Sequence, residues 1–255
     1  MSAKQQKHVK KEKVYIYGKH ALSEALLNTP QAIRKVFLSP SQKDTHLLEL
    51  IAKAKIPLAP LKENGESRVG KDAVHQGVIG VLDTTSLLTP FNDFIKTIDT
   101  KKSPALVILG EVQDPHNVGA IIRSAAAFGI SGILIPEHNQ VGITGTVVKT
   151  SAGMAFRIPL ISIGNVNNAV RTLKDIGFWV YGLEMNGKNP LTEERFSEPS
   201  LFIMGNEASG IRKKTLELCD VSLSIKMHPR CESLNVAASA AVVFYAWSTQ
   251  HVDVL

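Results

Sequence analysis

Cysteine is scarce in this chain of 255 residues, which holds only Cys219 and Cys231. Two thiols build no disulfide framework, and their spacing is not that of a CxxC metal site. No metal is therefore expected, and a reduced, cytoplasmic setting is the simplest account. Long hydrophobic runs are also missing. The longest, VAASAAVVFYAW, is shorter than the roughly 20 residues that cross a bilayer, so it reads as a buried helix and the membrane is not an expected partner. No apolar h-region follows the start, so no signal peptide is expected. Nucleotide-binding fingerprints are absent as well: there is neither a GxGxxG with a downstream acid nor a Walker loop, which disfavours a nicotinamide-dependent enzyme.

What is present is a modest excess of positive charge. Lys and Arg number 29 against 23 Asp and Glu, a formal net charge of +6. This favours an anionic partner such as RNA, DNA or an acidic surface, but a mildly basic soluble protein with no such partner fits equally well. Residues 1–12 form a polar tail with Lys4, Lys7, Lys10 and Lys11 and no apolar period. It reads either as a solvated leader or as a flexible arm for phosphates.

Residues 13–85 alternate strand and helix. VYIYGKHALSEALLN opens the unit, with Ala21, Leu22, Ala25 and Leu26 at helical spacing. RKVFLS and GVIGVL read as strands. DTHLLELIAKAK begins at Asp44, a plausible N-cap, and places Leu47, Leu48 and Ile51 on one face. KENGESRVGKDAVHQ is a polar surface loop. Residues 86–104, with Pro90 and Pro104 near the ends and one short amphipathic helix, read as a linker. From Ala105 to residue 255 the βα alternation resumes, with strands at ALVILG, GILIP, FWVYGL, LFIMG and VSLSI. Strands separated by helices predict an α/β fold with a mainly parallel sheet covered on both faces.

In such sheets ligands gather beyond the carboxyl ends of the strands. Three strand ends here are polar. In DPHNVGAIIRSAAAFG, Asn117 suits a helix N-cap and Gly129 the C′ position, while Val118, Ile121, Ile122 and Ala125 make the apolar stripe. Arg123 lies off that stripe, free to reach a site or only solvent. In LFIMGNEASGIR, Gly205 and Gly210 bracket Asn206 and Glu207, either as a ligand loop or as an ordinary tight turn. In LSIKMHPRCESLNVAASAA, Ser233 and Asn235 precede an Ala-rich helix expected to begin near Leu234, and either residue could serve merely as its cap.

Taken together and in this order, these three loops resemble the three motifs of the SpoU/TrmH family of RNA 2′-O-ribose methyltransferases. VVKTSAGMAFRIPL is also similar to this family. YIYGKHALSEAL and HQGVIGVL resemble the small RNA-binding domain of the subgroup that modifies a guanosine of large-subunit (23S) rRNA. The resemblance implies a C-terminal domain with a deep trefoil knot, which chain-crossing rules alone would never suggest. It implies S-adenosylmethionine as cofactor, RNA as partner and a homodimer through the C-terminal domain. It also implies Asn117, Arg123, Glu207, Ser233 and Asn235 as catalytic residues, with Gly205, Ile225 and Leu234 against the cofactor. Two other readings stay open: a tRNA 2′-O-methyltransferase, and a non-catalytic RNA-binding protein on the same fold. This chain has Lys226, Pro229 and Ala237 where the family usually has Pro, Gly and often Ser. Lys226 is expected to point outward, because its charge would oppose a cationic sulfonium.

Overall fold

The computed structural model describes residues 13–61 and 74–254. The lysine tail and most of the polar loop KENGESRVGKDAVHQ lie outside the described residues.

The first unit is built from β1 (Val14–Tyr17), α1 (Lys19–Asn28), β2 (Ile33–Leu38), α2 (Thr45–Lys53), β3 (Leu58–Pro60) and β4 (Val78–Leu82). Its sheet runs β1-β4-β2-β3, with β4 antiparallel to β1 and β2, and β3 parallel to β2. Asp44 caps α2 as expected, accepting the Leu47 N–H at 3.1 Å. Leu47 and Ile51 are buried, but Leu48 is exposed; the apolar stripe of this short helix is narrower than its sequence suggests.

The second unit comprises β5 (Leu88–Pro90), α3 (Phe91–Phe94), β6 (Ala105–Leu109), α4 (Pro115–Ala127), β7 (Gly132–Pro136), α5 (Gly145–Thr150) and β8 (Leu160–Ile163). It continues with α6 (Val166–Asp175), β9 (Trp179–Leu183), β10 (Asn189–Pro190), β11 (Ser200–Met204), α7 (Lys213–Leu216), β12 (Val221–Ser224) and α8 (Val236–Ser248). The sheet order is β10-β12-β9-β11-β6-β7-β8-β5, and every pairing is parallel. β6, β7 and β11 are buried at every position, as strands covered on both faces must be. Side chains alternate between two cores. Val107, Leu109, Ile133 and Ile135 face the cluster containing α4 and α8, whereas Leu106, Ile108 and Leu134 pack with Ala169, Val170 and Leu173 of α6.

Four strands, β3, β5, β8 and β10, are not evident in the sequence reading, and two of them shape the large sheet beside the site. β8 has only four residues and follows Pro159, so it lacks a long β-branched run. β5 lies within the stretch read as a linker, yet it pairs with β8 as an edge of the large sheet. Pro90 ends it, an edge position where a missing N–H costs least.

The two units share one continuous apolar core. At their junction Arg157 donates twice to the buried Glu24, from Nε at 2.6 Å and from Nη2 at 3.0 Å. This fork-on-carboxylate geometry fixes direction as well as distance. The Glu24 carboxyl is held below the usual carboxylate range, chiefly by those bonds from Arg157 against the opposing effect of burial.

Candidate functional site

Beyond the carboxyl ends of β9, β11 and β12 lies a cavity of about 530 Å³. Leu183, Met204 and Leu223, at or beside the strand ends, give it apolar walls. Gly205, Glu207, Ile225, Ser233, Leu234 and Asn235 all line it, so six of the eight residues singled out in the sequence meet here. Its volume falls within the roughly 300–1,000 Å³ of small-molecule pockets.

Three loops converge on its mouth, and a single relay joins them. The Glu207 carboxylate accepts the backbone N–H of Gln113 at 3.2 Å and of Asp114 at 3.3 Å. It also accepts from Asn117 Nδ2 at 3.0 Å. Asn117 Oδ1 in turn accepts from Asn235 Nδ2 at 2.9 Å. Asn235 Oδ1 then takes the N–H groups of Ala237 and Ala238 at 2.8 and 3.3 Å, capping α8. Burial disfavours the charged form of Glu207, but the bonds from Asn117 and the two backbone donors outweigh it, and its carboxyl sits below its ordinary value. Glu207 is therefore a fixed anion that organises the loops.

One residue differs from the sequence reading. Asn117 is not the N-cap of α4. Asp114 is, accepting the His116 N–H at 2.8 Å, with Pro115 in the first helical position, where its missing N–H is harmless. Asn117 is instead buried in the first turn, which frees its amide for the relay. Asn235 caps α8, as one of the two candidates the sequence offered, and the helix begins at Val236, two positions past Leu234. Gly129, with φ of +73°, does follow the α4 C-cap as expected.

Arg123 stands apart. It lies six positions along α4 from Asn117, about 9 Å of helical rise, and does not line the cavity of its own chain. Its side chain is exposed and has no hydrogen bond or ion pair among the described residues. The Ser233 hydroxyl is also exposed and without a partner among them.

The loop after β11 is tightly wound. Asn206 and Gly210 exchange backbone hydrogen bonds at 3.0 and 2.9 Å. Asn206 Oδ1 accepts from the N–H groups of Ala208 and Ser209. A Cβ on Gly205 would lie 2.6 Å from the Ile211 nitrogen, so only glycine permits this closure.

The cavity also uses Glu184, Met185, Met227 and Glu232, which the sequence reading missed. Glu184 directly follows β9, so the strand-end rule that found the other loops could have found it. Among the lining residues there are three carboxylates, on Glu184, Glu207 and Glu232, and no Lys, Arg or His. Such a wall suits a cationic ligand. Lys226 turns away as expected: its side chain is 73% exposed and its Nζ lies 3.8 Å from Glu193. Pro229 is exposed and does not line the cavity.

An all-parallel α/β sheet with a small-ligand cavity beyond its strand ends, joined to a compact α/β unit, is the class these features define. The comparisons with known proteins make this specific. Residues 104–245 match the model of the SpoU rRNA Methylase family. Residues 15–86 match that of the RNA 2′-O ribose methyltransferase substrate binding domain. The chain belongs to the SpoU rRNA methylase family. It is 32% identical over 240 residues to the 23S rRNA (guanosine-2′-O-)-methyltransferase RlmB of Neisseria meningitidis, covering 93% of this chain and 95% of that protein. With the Xylella fastidiosa RlmB it shares 34% identity over 92% of this chain and 96% of the relative. The fold matches that of the SpoU methyltransferase AviRb from Streptomyces viridochromogenes, solved in complex with the cofactor AdoMet. The TM-score is 0.81, at 20% identity over 94% of this chain and 91% of the other. Among the described residues no helix is long and apolar enough to cross a membrane.

Proposed function

We infer that this protein transfers a methyl group from S-adenosylmethionine to the 2′-hydroxyl of a guanosine in large-subunit (23S) rRNA. The observation that carries this reading is the relay Glu207–Asn117–Asn235, which draws three polar loops onto one carboxylate-lined cavity. The names of the curated relatives supply the acceptor, and the AdoMet-bound fold neighbour supports the cofactor.

The residues present fit that cofactor. Its sulfonium and ammonium are cations, and the cavity offers carboxylates without a competing base. Gly205, Ile225 and Leu234 would hold it by backbone and apolar contact. When bound, it supplies a methyl already activated on sulfur. The chain's task is then to orient the ribose and help remove its proton. Asn117 and Asn235 hold the loops that form the acceptor side, and Glu207 fixes both. Ser233, with its hydroxyl free, is placed at the cavity wall to contact the ribose or the cofactor. Arg123, exposed and unpaired, suits a bidentate grip on the phosphate beside the acceptor.

The assembly is a homodimer through the second unit. Val242 and Tyr245 of α8 are 40% and 59% exposed, an apolar face with an aromatic edge contact from Tyr245 to Phe128. A second copy packed there puts Arg123, on the same helix pair, in an intermolecular position. Residues 13–85 serve as the RNA-binding domain, and the chain from β5 onward, which already belongs to the large sheet, serves as the knotted methyltransferase domain. The two free thiols accord with a cytoplasmic protein.

Two measurements test this reading. Calorimetric titration with S-adenosylmethionine should give saturable binding, and labelled methyl should appear on a single guanosine ribose of undermethylated 23S rRNA. Binding without transfer to rRNA or tRNA would leave an RNA-binding protein on the same fold.

A further inference from the structure

On the opposite side of the Gly205–Arg212 loop, a second cavity of about 420 Å³ opens beyond the carboxyl ends of β6, β7, β8 and β11. Nothing in the methyl-transfer scheme uses it. Its chemistry is the reverse of its neighbour's. Arg212, Lys214 and His138 line it, and the one carboxylate among its lining residues, Glu111, is already bound to Arg212 Nη2 at 2.5 Å. Lys214 and His138 have no ion pair among the described residues.

The rest of the lining mixes polar donors with Pro136, Ile203 and Ile211. The cavity touches Gly164, Asn165, Val166 and Asn167, where the ten-residue helix α6 begins and its first N–H groups face outward. Asn167 Oδ1 accepts from the Thr215 hydroxyl at 2.7 Å, which fixes the amide and leaves its Nδ2 to donate. Glu111 and Asn139 both hold left-handed backbone, with φ of +68° and +55°. The Glu111 carbonyl accepts from Asn206 Nδ2 at 2.9 Å, so the two cavities share one wall.

We propose that this second cavity binds a nucleotide of the substrate RNA next to the acceptor, its phosphate held by Lys214, His138 and Arg212 and its base inside. The proposal rests on the RNA methyltransferase reading. The shared chemistry is a nucleoside 5′-phosphate, and the substrate strand is its source because the acceptor ribose is presented at the mouth of the first cavity, across the shared wall.

Gly164 allows a test without removing charge. A Cβ there meets nothing within 4 Å, and its backbone is not left-handed, so Gly164→Phe fills the space at little strain. In the full chain, affinity for a 23S rRNA fragment should fall about tenfold in Gly164→Phe. Lys214→Ala should weaken it similarly and reduce the slope of log affinity against log salt by about 0.7, the share of one phosphate on a single strand. Affinity for S-adenosylmethionine should stay unchanged in both, which separates this proposal from the assignment of the first cavity. Each of the four 5′-mononucleotides should compete with RNA in wild type and lose that effect in Gly164→Phe. If Lys214→Ala weakens RNA binding while Gly164→Phe does not, the lysine acts only through general surface charge and the proposal fails. It also fails if a mononucleotide binds this cavity without displacing RNA.

Discussion

The two cavities are separated by one loop, yet their charge is opposite. The one beyond β9, β11 and β12 carries three carboxylates and no base. The one beyond β6, β7 and β8 carries three cationic or titratable basic groups and one carboxylate that is already paired. A parallel sheet alone would not sort charge this way, because all its strand ends are equivalent. The sorting comes from short loops: Glu184 directly after β9, Glu232 before α8, and Arg212 and Lys214 at the start of α7. It teaches that a single sheet edge can present an acidic and a basic cavity one loop's width apart.

The largest effect should come from the residue outside both cavities. Arg123→Ala is expected to lower methyl transfer about a thousandfold, the scale seen when one transition-state contact is lost. Its affinity for S-adenosylmethionine should be unchanged, because Arg123 does not line the acidic cavity. Single-turnover transfer and calorimetry on the same preparation check both halves, and an equal loss in each would place Arg123 at the cofactor. Inverting the charge contrast should cost less. Glu184→Lys puts a cation in the wall of the cavity that would hold the cofactor and removes the acceptor of the Ser222 hydroxyl, now bonded at 2.6 Å. Cofactor affinity should drop about a hundredfold, whereas RNA affinity should hold or rise. If Glu184→Lys binds the cofactor normally, the acidity of the first cavity is incidental.

This contrast was only half legible in the sequence. The strand-end rule located Gly205, Glu207, Ser233 and Asn235 because each sits in a polar loop after a visible apolar strand. It did not find Gly164 or Asn167, because β8, the strand that leads to them, is short and follows Pro159. The relay was out of reach for another reason: Glu207 and Asn117 are 90 positions apart in sequence, and no local pattern reports a bond between distant side chains. Asn117 misled as a cap because Asn has that propensity, whereas the Asp-Pro pair just before it sets the helix start. Residues 88–90 show the same limit at domain scale. They are few and end on Pro90, but they extend the large sheet, so a deletion carried to residue 95 would strip an edge strand from the second unit along with the first unit.

The smallest effect separates the two anchored carboxylates by pH. Glu207 and Glu24 both have their carboxyls held below the ordinary value, so in both the charged form stabilises the fold. The sign follows from linkage: that stabilisation is fully present above the unfolded carboxylate value of about 4.3 and is lost as pH falls through the lower folded value. Wild type and Glu207→Gln should therefore differ in thermal stability at pH 6 and converge as pH is lowered from about 5 toward 3. Glu24→Gln should converge over the same range, since its shift has the same sign. The readouts divide them. Glu207 joins the loops at the acidic cavity, so its variant should weaken S-adenosylmethionine binding already at pH 7. Glu24 joins the two units through Arg157, so its variant should leave that binding intact and instead ease proteolytic cleavage between the units. If Glu207→Gln keeps full cofactor affinity at neutral pH, an amide holds the three loops as well as the anion does, and the relay needs hydrogen bonds but not charge.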